Sequence, residues 1–353
     1  MQTIQKKKSV KSLFKKTLKT IKIKLLHRIS IIKFLMKEWS LMKRTVAFIM
    51  FLFVLWVGGC GSKVPMDKTS SKDLYDRQYN TVIKRDLLCI MMAYPEYILG
   101  IEKGKDGNVY IVMKSQRRIL YDDKRVKTPA EKIANADIQD MLEQVYPLND
   151  IKKLPEQDCD PGRARVYALL KEVYGSSKGK VQSNLVNVKT LQGYFQFNKN
   201  NGASEAFQKA FNELVPLAQN RQNIRASVFP TSGTFNYRNI AGTNLLSPHS
   251  FGIAIDLARN KRDYWKWASR REGEERLASY PREIVAVFEK YNFIWGGKWG
   301  HFDILHFEYR PEIIYKARYF GNMPDSIESW YDRAPAENPE VKNYIDIIEK
   351  TFE

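Results

Sequence analysis

Cysteine is nearly missing: the 353 residues hold three, at Cys60, Cys89 and Cys159. That excludes a scaffold stapled by disulfides. No glycine-rich loop follows a strand-like run, which excludes the phosphate-loop and dinucleotide fingerprints. No apolar stretch reaches the ~18–20 residues that a membrane-spanning helix requires. Internal repeats and low-complexity tracts are lacking too. Acids are scarce in one place: residues 1–59 carry fourteen Lys and Arg against the single acid Glu38. Most of the formal charge of +19 therefore sits in that leader, and residues 60–353 carry 44 basic and 38 acidic residues, a net +6. Such a body lacks the basic footprint of a nucleic-acid binder, and no nucleic-acid partner is expected. What is present is ordinary globular composition, 44% hydrophobic and 12% aromatic, in a length sufficient for a substantial core.

The leader has an order of its own. Met42-Lys43-Arg44 is a short cationic start, Thr45–Val57 is apolar, and Val57-Gly58-Gly59-Cys60 closes with small residues before a cysteine. Cationic, apolar and small-residue regions in that order describe an export signal over 42–59. Its end resembles a bacterial lipobox, so Cys60 is expected to carry lipid and tether the chain to a membrane of the cell envelope, facing the periplasm or the exterior. Residues 1–41 read either as a basic membrane-surface helix or as an extension ahead of a true start at Met42. The second is preferred, because a signal works best at the very N-terminus. In an exported chain Cys89 and Cys159 have two readings, a disulfide or free thiols, with Cys89 buried in the run Leu87-Leu88-Cys89-Ile90.

Residues 60–72 read as a polar tether and 73–155 as an accessory region. The pattern predicts a helix over 74–92, a hairpin of 97–101 with 109–113 about the turn Gly104–Asn108, a third strand at 118–121, and a helix over 130–145. A second region spans 156–320, with helices over 165–174 and 204–218, the latter capped by Ser204. Residues 321–353 form a tail. Helices and short strands without regular βαβ alternation point to α+β.

Four histidines occur in the chain, and His249, His301 and His306 fall close together. In Ser247-Pro248-His249-Ser250-Phe251-Gly252-Ile253-Ala254-Ile255-Asp256, the end alternates like a strand and Gly252 permits a tight bend. Such a bend brings His249 back towards Asp256, an imidazole and a carboxylate suited to zinc. Downstream, Asp303-Ile304-Leu305-His306-Phe307-Glu308 supplies a third imidazole and a carboxylate, Asp303, able to take and return a proton. Glu308 shares a strand face with His306 and either orients it or itself acts as the base. His301 reads as a rim residue. Trp295, Trp299, Trp265 and Trp267 read first as packing, and Arg270-Arg271 as a solvated face.

Ser247-x-His249-x-x-Gly252-x-Ala254-x-Asp256 followed by Asp303-x-x-His306-x-Glu308 resembles the zinc D-Ala-D-Ala carboxypeptidase family. That family includes VanY-like carboxypeptidases, VanX-like dipeptidases and the L-alanyl-D-glutamate peptidases of phage endolysins. The likeness extends from Asp160-Pro161-Gly162-Arg163 to about Pro311. It implies zinc held by His249, Asp256 and His306, with Asp303 as general base. It also implies a substrate-holding or oxyanion-stabilising Arg238 in Gly233–Thr243, with Ser247 helping to hold the site or contacting the substrate. The implied fold is the α+β domain shared with the Hedgehog signalling domain, here with an added N-terminal α/β region. The implied partners are peptidoglycan stem peptides. Asp303 stands where many carboxypeptidase members have Glu and endolysin-like members have Asp. Trimming of a terminal D-alanine, cleavage at L-Ala–D-Glu, and a zinc-containing binding module without catalysis are the three functions to separate.

Overall fold

The computed structural model describes residues 71–191, 193–321 and 329–353. Cys60, the leader and all but the end of the tether lie outside the described residues. Among the described residues no helix is long and apolar enough to cross a membrane. Residues Ser70–Glu353 form one compact unit.

The first helix among the described residues, α1, runs Ser71–Ala93, longer at both ends than the apolar pattern marks. It buries Leu87, Leu88, Cys89 and Ile90. Three strands follow as an antiparallel meander: β1 (Ile98–Lys103), β2 (Val109–Met113) and β3 (Arg118–Leu120). At the β1–β2 turn the Asp106 carboxylate accepts from the Asn108 amide and the Tyr110 hydroxyl. The single helix expected over 130–145 is instead two, α2 (Pro129–Ala134) and α3 (Ile138–Leu142). The break is chemical. Asp137 accepts from the Asp140 amide, and the Asp140 carboxylate accepts from the Asp137 amide. An Asp competes for backbone donors inside a helix and serves better at its start.

Beyond residue 156 the chain forms α4 (Tyr167–Tyr174), α5 (Lys178–Ser183), and the hairpin β4 (Leu185–Thr190) with β5 (Gly193–Asn198). Then come α6 (Ala203–Asn220), α7 (Gln222–Val228) and β6 (Thr231–Gly233). Ser204 does not cap α6 as the sequence suggests. Gly202 holds that position in a left-handed conformation, and Ser204 sits buried within the first turn. The remaining elements are β7 (Ala254–Ala258), α8 (Arg270–Ser279), α9 (Arg282–Lys290), β8 (Phe293–Trp295), β9 (His306–Tyr309), α10 (Pro311–Phe320) and α11 (Pro339–Phe352). Strands β6, β7, β9 and β8 pair in that order as one antiparallel sheet. The α+β reading therefore holds.

The apolar stripe of α6 packs Phe207 in a stack on Phe197 of β5, ring centroids 4.4 Å apart. Phe288 of α9 stacks on Phe307 of β9 at 4.2 Å. Each fully buried Phe contributes roughly 1.5–3 kcal/mol over its exposed state. Helix α1 lies against α10 and α11. There the buried Asp86 receives Lys316 of α10 at 2.6 Å and the Tyr121 hydroxyl at 2.9 Å. Cys89 is buried, Cys159 is exposed, and both are free thiols.

Candidate metal centre

Strand register brings the candidate ligands together. Asp256 of β7 lies directly opposite His306 of β9, and Ala254 lies opposite Glu308. Alternation puts Ile255 and Phe307 on the core side, which leaves Asp256, His306 and Glu308 on the other. Ala254 is small enough to leave room for the Glu308 carboxylate beside it. Ahead of β7, Pro248–Phe251 make one 3-10 turn, and Gly252 at φ +67 reverses the chain. His249 is thereby folded back over Asp256. A Cβ on Gly252 would stand 2.5 Å from Leu185 Cδ2 and 3.3 Å from the Asn198 amide nitrogen. Gly252→Ala is therefore expected to cost about 1–3 kcal/mol in stability and to weaken metal binding, measured by urea unfolding and metal titration.

His249 Nε2 lies 3.2 Å from Asp256 Oδ1, and His306 Nδ1 lies 2.9 Å from the same oxygen. One donor atom from each residue falls within 4.8 Å of the others. Zinc bonds of ~2.0–2.1 Å in a tetrahedron separate ligand atoms by roughly 3.3 Å, so this donor set fits. The Nδ1–H of His249 donates to the Thr234 carbonyl, which leaves Nε2 as a lone pair facing the cluster. Burial opposes a charge on His306, but the hydrogen bonds it donates to Asp256 and Glu308 prevail and push it up to about 10. Burial likewise opposes a charge on Asp256, and His249 and His306 hold its carboxyl well below the usual range. A cluster that draws positive charge this strongly suits a divalent cation.

Asp303 is half-buried in the loop between β8 and β9. Its amide donates to the Gly296 carbonyl at 2.9 Å, and its own carbonyl accepts from the His306 amide at 3.1 Å. A backbone bridge ties it to Tyr264. Burial pushes its carboxyl up to about 7, against the pull of His306 and with help from Asp256. A carboxyl poised there suits proton transfer.

Glu308 has no such freedom. It is fully buried, receives Arg165 through two hydrogen bonds of 2.9 and 2.6 Å, and receives Arg310 at 3.3 Å. Burial opposes its charge, yet Arg165 and Arg310 hold it well below the usual carboxylate range. Its other contact is His306 Nε2 at 3.8 Å. Of the two roles the sequence left open, this geometry favours orienting the imidazole.

Other candidates stand at varying distance. The Arg238 side chain is exposed and hydrogen-bonds the Asn239 carbonyl, not the cluster. Its backbone is fixed: the Ser250 hydroxyl accepts from its amide at 2.9 Å and donates to its carbonyl at 2.6 Å. Ser247 is buried, with its amide donating to the Arg238 carbonyl. His301 is half-buried at the rim, 2.7 Å from Asp160 through Nδ1. Trp295 and Trp299 are buried, and Trp267 is exposed beneath Arg259. Arg165, Arg310 and the 159–163 loop went unread as supports. That loop is stapled to the site by Gly300 amide to Cys159 carbonyl, Trp299 Nε1 to Pro161 carbonyl, and Arg310 to Gly162 carbonyl. A signal existed, since Glu308, Arg310 and Glu312 place three charges at every second residue after a ligand.

A family model described as D-alanyl-D-alanine carboxypeptidase matches residues 241–309. The matched span contains His249, Asp256, Asp303, His306 and Glu308, but neither Arg238 nor the 159–165 segment. The match supports a peptidase of that family. Neither the curated proteins nor the solved structures yield a match.

Proposed function

We propose that the chain is a zinc-dependent peptidase that hydrolyses peptidoglycan stem peptides as a D-alanyl-D-alanine carboxypeptidase, carried on the cell envelope by lipid at Cys60. The observation that carries this reading is the convergence of His249, Asp256 and His306 beside Asp303, inside the span that matches the carboxypeptidase family. Its fold would be that of the Hedgehog-type zinc domain. Bound zinc supplies Lewis acidity at the scissile carbonyl and a lowered pKa for water. His249, Asp256 and His306 would hold it, and Glu308 would keep the His306 ring in place. Asp303 takes the proton of the attacking water and delivers it to the leaving amine. Arg238, exposed at the rim, steadies the substrate carboxylate or the developing oxyanion. Ser247 supports its backbone.

Asp303, which endolysin-like members share, favours a second reading, cleavage at L-Ala–D-Glu. Mass spectrometry of stem peptides incubated with the full chain, with zinc and then with chelator, separates the readings. Loss of one alanine that chelator abolishes is the expected result. Fragments cut at L-Ala–D-Glu move the assignment to the endopeptidase. Stoichiometric metal without any cleavage leaves a binding module.

A further inference from the structure

A cleft of about 1,330 Å³ opens beside the metal centre. Helices α2 and α3 of the N-terminal region form one wall, where Ile133 and Ala134 face it. The loop after Arg238 forms the other, with Ile240 and Leu245. Tyr264, Trp265 and His301 also line it. Tyr264 is bridged to the backbone of Asp303, and the Trp265 ring meets His301 edge-on with centroids 4.6 Å apart. Through Tyr264 the cleft adjoins the loop that carries Asp303, although the metal-centre residues do not themselves line it.

Helix α2 is an odd element for a fold to keep. None of its residues is buried, so packing contributes little to holding it. Yet it is fixed with care. Thr128 and Glu131 form a reciprocal cap, and Pro129 begins the first turn. Lys132 pairs with Glu143 of the following segment. Just ahead, Lys127 is buried against Asp137 at 2.8 Å and Asp140 at 2.6 Å. The result is a firmly held wall of the cleft.

We infer that the α2–α3 wall and the 240–245 loop form a subsite for the peptide continuing away from the scissile bond, so that the N-terminal region selects extended or cross-linked stems over short peptides. The inference rests on the peptidase reading. The occupant follows from the cleft's place beside the Asp303 loop and from size. Small-molecule pockets run ~300–1,000 Å³, and this cleft exceeds them. Aliphatic walls with charged groups at intervals suit a peptide of mixed side chains.

The test compares the full chain with its Ala134→Trp variant, zinc supplied to both. Ala134 is exposed, so the indole narrows the cleft without entering the core. One substrate is an acylated tripeptide ending in D-Ala-D-Ala; the other is a cross-linked stem-peptide dimer free of glycan. The ratio of kcat/KM for dimer over tripeptide is expected to fall about tenfold, the loss residing in KM. An unchanged ratio overturns the subsite while leaving the peptidase intact. Calorimetric titration of the dimer into Asp303→Asn chains, with and without Ala134→Trp, repeats the comparison without turnover. Wild type inert on both substrates defeats the peptidase reading alone, and calorimetry then decides the cleft.

Discussion

Asp303→Asn is expected to lower kcat/KM on stem peptides by about 10²–10⁴-fold while zinc remains bound at one per chain. The substitution keeps the shape of the side chain and removes its basicity. The backbone links to Gly296 and His306 do not involve the carboxylate, so the ligand cluster keeps its form. Steady-state kinetics beside metal analysis of the same sample checks both halves. Retention of a tenth of the activity or more would remove Asp303 from the role of base. Glu308 would then be the next carboxylate to test, although Arg165 and Arg310 already occupy its oxygens.

The largest loss of stability is expected from Arg165→Met. The substitution leaves the Glu308 carboxylate buried with only the longer contacts to Arg310 at 3.3 Å and His306 at 3.8 Å. Removing one partner of a buried pair costs about 3–5 kcal/mol, because the other charge stays out of water. Urea unfolding measures it, and a shift below about 1 kcal/mol would refute the assignment. Metal affinity should fall too, by about 10–100-fold, as His306 loses a firmly held orienting group. Glu308→Leu combined with Arg165→Met separates the effects. The double variant should recover much of the stability, since no unpaired charge remains at that pair, but not the affinity for zinc.

Much of the centre was legible because its signal is local. His249, Gly252 and Asp256 lie within one bend and strand, and alternation assigns their faces. The buried Trp295 and the rim position of His301 also agree with readings made from the residues, whereas the residues left open whether Cys89 and Cys159 pair. The supports were not legible. Arg165 reaches Glu308 across 143 residues, and nothing in the local pattern of Arg165 marks it as a buried cation. The split of the 130–145 helix was missed for another reason. Apolar spacing continues through the break, and only the paired capping of Asp137 and Asp140 interrupts it. Ser204 misled likewise: a good capping residue followed a glycine that caps through its backbone conformation.

The buried ionic chain under the centre extends past it. His306 faces Glu308, which meets Arg310. Arg310 pairs with Glu312, and Glu312 accepts from the Tyr94 hydroxyl at 2.8 Å. Tyr146 likewise closes a second buried group by donating to Glu289 at 2.6 Å, and Asp86 answers Lys316. All three closing residues precede residue 156. The portion that carries the family signature is therefore not a cassette. Grafted elsewhere without residues 71–155, it would lose the Tyr94 and Tyr146 hydroxyls that complete the pairing of Glu312 and Glu289, and Lys316 would lose Asp86. The unit that recombination or a protein engineer can move intact begins near the start of α1.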